Sequence, residues 1–142
     1  MEGQVVPPGP GDLPSAGKGR IMIKGTLIAE SLRLGSSLAG IPLVVREIRR
    51  SAVQGVPAYQ PSVWTVIEFD ADDSDAEVLA GDLAVILAEP GWYVNYSSAT
   101  ETFVVYPGRV FRYPRGDPEG RREAQAYGRI LGVPEPQLDW SE

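Results

Sequence analysis

WYVNYSSATETFVVYPGRVFRY, residues 92–113, breaks into three short β runs, Trp92–Tyr96, Thr102–Tyr106 and Arg109–Tyr113. Ser97-Ser98-Ala99-Thr100 and Pro107-Gly108 separate them, and short runs divided by such turn residues read as an antiparallel meander. Alternation sets Trp92, Val94 and Tyr96 against Tyr93 and Asn95 in the first run, and Phe103 and Val105 against Val104 and Tyr106 in the second. An antiparallel sheet needs only one apolar face, yet both sets here carry aromatic rings. The surplus rings must meet solvent or line a cavity.

Upstream, Ile21, Ile23, Leu27 and Ala29 alternate with polar residues and predict a first strand, with its end open between further strand and a helical turn at Leu32 and Leu34. Leu43–Ile48 predicts a second strand, hairpin-paired with the first. In the third, Val63, Thr65, Ile67 and Phe69 oppose Trp64, Val66 and Glu68, and bulk on both sides implies an interior or covered strand. Ser74-Asp75-Ala76-Glu77 has the capping-box spacing, and Val78, Leu79, Leu83, Ile86 and Leu87 form the apolar stripe of a helix that ends at Pro90-Gly91. Downstream of the meander, Asp117 and Pro118 start a second helix with Ala124, Tyr127 and Leu131 on one face; Gly132 and Pro134 end it. Trp140 is expected to fold back onto the body.

The implied class is α+β: an antiparallel sheet of about five to six strands, in the order β-β-β-α-β-β-β-α, with two helices packed on one face. Residues 1–20 hold nine Gly or Pro and no apolar pattern, so they are expected to be a flexible tail before a single domain at 21–142.

With no histidine and no cysteine, the chain has no Ser-His-Asp or Cys-His machinery and no ordinary zinc, haem or iron–sulfur ligand set. The formal charge of -6 argues against phosphate-backbone and anionic-lipid partners and makes a cationic partner electrostatically easier. No apolar run has the length of a membrane span and no secretory signal opens the chain, so a soluble, cytoplasmic protein is expected. Eleven Arg against two Lys, with abundant Ala, Gly and Pro, suggest GC-rich bacterial coding.

Local motifs add little. Asp70-x-Asp72-x-Ser74 opens like a calcium loop, but Asp75 stands where the loop needs Gly and Gly81 where it needs Glu, so no metal is expected. The phosphate-loop likeness at Gly11–Lys18 has the wrong spacing. Ser15-x-x-Lys18 lies in the expected tail, and Gly35-Ser36-Ser37-Leu38-Ala39 lacks any His to activate a serine. Arg115-Gly116-Asp117 reads as a turn and a helix cap. No cofactor is expected.

Residues 92–115 combine seven of the twelve aromatics with Arg109, Arg112 and Arg115. Such a surface either packs as ordinary sheet or offers stacking and guanidinium contacts to a ligand. The leading functional expectation is a non-enzymatic protein that binds a small molecule or a partner protein through Tyr93, Asn95, Tyr106, Arg109 and Arg112. The alternative is a small cofactor-independent isomerase, cyclase or hydrolase. In it Glu68 or Glu101, raised by burial, is the base, Tyr93 or Tyr106 the acid, and Arg112 the oxyanion stabiliser.

Overall fold

The computed structural model describes residues 22–142, so the expected tail at 1–20 and Ile21 lie outside the described residues. Six strands form one antiparallel sheet: β1 (Met22–Ile28), β2 (Val44–Ala52), β3 (Val63–Asp72), β4 (Val94–Ser97), β5 (Glu101–Tyr106) and β6 (Arg109–Pro114). Two helices accompany them, α1 (Ala76–Ile86) and α2 (Pro118–Ile130), which gives the expected α+β class and element order. Across the sheet the strands run β2-β3-β1-β4-β5-β6.

The hairpin is not the expected one. Strand β2 pairs with β3, and β1 lies between β3 and β4. Composition gives the reason: β2 carries Arg46, Glu47, Arg49 and Arg50 and suits an edge, whereas β1 buries Ile23 and Leu27. A bulge between Val45 and Glu47 and this charge density protect an edge on which Ile48 remains 63% exposed. At the centre of β1, Gly25 lets its neighbours close over it. A Cβ there would lie 2.7 Å from the Phe69 ring and 2.9 Å from Tyr96 Cβ.

The helices pack on opposite faces, which corrects the expectation of a single covered face. Helix α1 lies on the side of Ile23, Leu27, Phe69, Tyr96, Phe103 and Val105, where Leu79 and Leu83 are fully buried. Helix α2 lies on the side of Val104, Tyr106 and Tyr113, together with Val133, Leu138 and Trp140 of the C-terminal segment. Two buried phenols mark the two sides: Tyr96 donates to the carbonyl of Ala76 at 2.6 Å and Tyr106 to that of Ala124 at 2.7 Å. The bulk on both faces of β5 is met by cover on both faces.

Two helix ends also differ from the sequence pattern. Ser74 forms no capping box, because its N–H and hydroxyl both donate to the Asp72 carboxylate, at 3.0 and 2.8 Å, in a short 3₁₀ turn that leads into α1. Helix α1 stops at Ile86, short of Pro90-Gly91, because the backbone there pairs with the segment after β1. Arg33 N–H donates to the Ile86 carbonyl at 2.8 Å and Ala88 N–H to the Ser31 carbonyl at 2.7 Å. Val78 of the expected stripe faces solvent, while Ala76 and Ala80 are buried. At α2, Asp117 caps as the sequence implies, accepting from Glu119 N–H at 3.2 Å.

The C-terminal segment is stitched down residue by residue. The Glu142 carboxylate accepts from the Tyr113 hydroxyl at 2.7 Å, Gly116 N–H at 2.7 Å and Arg121 at 3.0 Å. Gln125 donates to the Leu138 carbonyl at 2.9 Å and the Trp140 indole to the Tyr113 hydroxyl at 3.0 Å. Trp140 thus packs on the body as expected. This segment covers part of the α2 side and leaves a cleft beside it.

Candidate functional site

On the α2 side, residues of even number in β1 and β3 and of odd number in β4 share a face, since Thr26 pairs with both Glu68 and Asn95. Thr26, Ile28, Trp64, Tyr93 and Asn95 therefore floor one depression. Val53, Gln54 and Gly55 of the β2–β3 loop wall one flank, and Pro134, Pro136, Gln137 and Asp139 wall the other. The cleft holds about 450 Å³, within the range of small-molecule sites.

Its aromatic wall is built by close ring contacts. Trp64 and Trp92 meet at 5.4 Å between centroids and 60°, and Tyr93 packs edge-on against Trp140 at 5.3 Å. The indole N–H of Trp64 is spent on the Pro61 carbonyl at 2.9 Å, which fixes the ring while leaving it half-buried at the cleft. Trp92 is only 6% exposed and backs it. The Tyr93 hydroxyl donates to the Gln137 carbonyl. Burial pushes that phenol well above its ordinary value, the Asp139 charge adds to the effect, and Arg121 opposes it.

One buried amide locks the walls together. Gln60, 5% exposed, donates to the Gly91 carbonyl at 2.9 Å and accepts from the Gln137 amide at 2.9 Å. Gly91 leads into Trp92, so a single side chain ties the β2–β3 loop, the approach to β4 and the C-terminal segment. Such cross-bracing presets the cavity before any ligand arrives.

The nominated binding residues are only partly brought together. Tyr93 and Asn95 line the cleft. Tyr106 lies on the same side, 5.8 Å from Tyr93 between centroids, but it is fully buried under α2. Arg109 is occupied over the rings of Phe111 and Tyr127, at 4.6 and 5.1 Å. Arg112 is on the opposite, α1 side. It donates to Glu101 through two nitrogens, at 2.8 and 2.9 Å, and to Glu77 at 3.0 Å.

The acid–base set is divided by the sheet. Glu101 and Arg112 share the α1 side, whereas Tyr93 and Tyr106 share the other. The Glu101 carboxyl is not raised by burial as expected: hydrogen bonds from Arg112 outweigh desolvation and hold it below the ordinary carboxylate value. Glu68 accepts from the Thr26 hydroxyl at 2.6 Å and from Arg49 at 3.0 Å. Burial drives the Tyr106 phenol upward, away from proton transfer near neutrality, with Tyr93 and Tyr113 adding to the effect.

A second depression of about 470 Å³ shares Thr26 and Asn95 with the first. Its cations are already engaged: Lys24 and Arg46 with Asp70, at 3.5 and 2.6 Å, and Arg115 with the Ser98 carbonyl at 3.0 Å. Asp70 therefore serves ion pairs, and no group of three or more potential metal ligands converges among the described residues. No described helix is long and apolar enough to cross a membrane.

Sequence reasoning missed Trp64, Gln60, Gln137 and Asp139. The opposed bulk around Trp64 was a usable signal, because a half-covered tryptophan on an interior strand has to face something. Nothing in the sequence marks Gln60 or Asp139. Comparison with protein-family models, with curated proteins and with solved structures finds no match to this chain.

Proposed function

We propose that the chain is a non-enzymatic binding protein that takes a small, flat, largely apolar molecule into the cleft between β1, the β2–β3 loop and the C-terminal segment. The carrying observation is the Trp64–Trp92 pair on a braced cavity of about 450 Å³. Ring faces supply stacking area at low conformational cost, and Thr26, Asn95 and Gln137 supply a few polar groups for orientation. A concave site of this size suits a small molecule or a single inserted side chain better than a broad protein face. The arginines of the β5–β6 hairpin, nominated from sequence for the same role, support the fold instead.

Both tryptophans of the wall report on occupancy. A panel of aromatic metabolite-sized molecules is titrated while intrinsic fluorescence is read, first with the natural chain and then with Trp64→Ala. The expected result is saturable quenching in the natural chain and at least about 10-fold weaker binding in the variant, in line with the loss of one stacking ring. Equal binding by Trp64→Ala, with the fold intact by circular dichroism, overturns the proposal.

A further inference from the structure

The geometry points to a cationic nitrogen on the ligand, a protonated or quaternary amine attached to an apolar body, as the group the cleft selects. This rests on the reading of the cleft as a ligand site and adds the charge of what enters it.

Three observations carry it. The residues lining the cleft include one charged side chain, Asp139, and no Lys or Arg. Elsewhere the carboxylates of Asp70, Glu68, Glu101, Glu135 and Glu142 are each met by an arginine. Among the described residues Asp139, which is exposed at the cleft rim, takes part in no hydrogen bond or ion pair, and the charge of Arg121 opposes its effect at Tyr93 without touching it. Its charge is felt inside the site, since it works with burial to disfavour ionisation of the Tyr93 phenol.

The wall beside that carboxylate is the second element. Trp64, Trp92 and Tyr93 line the same cavity, and the faces of indole and phenol rings carry the negative side of the ring quadrupole. Ring faces and one carboxylate in the same lining attract an ammonium twice over. The same carboxylate and ring faces repel a carboxylate or phosphate. The chain's net charge of -6 works in the same direction at long range.

Arginine placement within the molecule makes the contrast. Arg109 and Arg121 already lie over rings outside the cleft, Arg109 on Phe111 at 4.6 Å and Arg121 on Trp140 at 4.9 Å. Among the described residues, no cation lies over the rings of the cleft wall in this way. The position is left for one brought from outside.

Three probes with one phenyl body separate charge from shape: 2-phenylethylammonium, 2-phenylethanol and phenylacetate. Each is titrated into the full chain by calorimetry and by tryptophan fluorescence, at low and at physiological salt. The ammonium is expected to bind about 10-fold more tightly than the alcohol, and phenylacetate most weakly. Asp139→Asn is expected to reduce the ammonium preference several-fold, to the smaller part that the rings supply. Glu123→Gln, an equal charge change on the exposed side of α2, is expected to leave the preference in place, which removes net charge as the cause.

An alcohol that binds as well as the ammonium, or an ammonium preference left unchanged by Asp139→Asn, overturns the cation assignment. The cleft itself then still stands if Trp64→Ala abolishes binding of the alcohol. Failure of all three probes to bind overturns both.

Discussion

Replacing Gln60 with Leu keeps the approximate volume of the side chain and removes its amide. In the native fold that amide donates to the Gly91 carbonyl at 2.9 Å and accepts from Gln137 at 2.9 Å, at a position 5% exposed. Each neutral hydrogen bond contributes about 1 kcal/mol net, and an acceptor left buried without a partner costs about 1–3 kcal/mol. Gln137 is half-buried and can turn toward water, so its loss stays near the lower figure; the Gly91 carbonyl has less freedom. The expected cost is therefore about 2–4 kcal/mol, a large share of the roughly 5–15 kcal/mol that holds a domain together. Urea unfolding followed by tryptophan fluorescence measures it. Gln60→Ala, Gln137→Ala and the double variant form a cycle whose coupling is expected near 1 kcal/mol. A Gln60→Leu variant within about 0.5 kcal/mol of the natural chain, with no coupling in the cycle, refutes the account of the cleft as braced by this amide.

Tyr106→Phe is expected to lower stability by about 1 kcal/mol through loss of the bond to Ala124, whereas Arg112→Ala, whose ion pairs lie at the surface, is expected to cost less than about 1 kcal/mol; thermal melts compare the two. Gly25→Ala is expected to destabilise by about 1–3 kcal/mol, because its methyl group meets the Phe69 ring and Tyr96 Cβ inside the sheet; chemical denaturation checks it. For Glu142, burial raises the carboxyl, but bonds from Tyr113, Gly116 and Arg121 outweigh this and lower it below the ordinary value. A depressed folded value means that its contribution is present above the unfolded carboxyl range and is lost as pH falls from about 5 through the folded value. Glu142→Gln is expected to show a flatter decline of melting temperature with acid than the natural chain.

The local order of elements was legible because it depends on neighbours in sequence. The alternation in Thr102–Tyr106, the Pro107-Gly108 turn and the Asp117-Pro118 start of α2 each state their own geometry within a few residues. The insertion of β1 between β3 and β4 was not, since it depends on which surfaces are buried when distant strands meet. Bulk on both sides of β5 reads as rings left for solvent or a cavity, with both helices on the other face; that α2 covers Val104 and Tyr106 instead is a tertiary fact. The site was legible to the extent of Tyr93 and Asn95. Gln60 and Asp139 owe their roles to contacts across the fold, and neither residue type announces such a role from its place in the chain.

The place of β1 also fixes when a binding site exists at all. One half of the sheet is the β2–β3 hairpin, which brings Trp64; the other is the β4–β5–β6 meander with its flanking segments, which brings Trp92, Tyr93 and Asp139. Neither half holds the cleft alone, and β1 is the keystone that joins them. An occupant that grips both halves adds its binding free energy to that junction and to no partly assembled form, so saturation strengthens the seam by mass action.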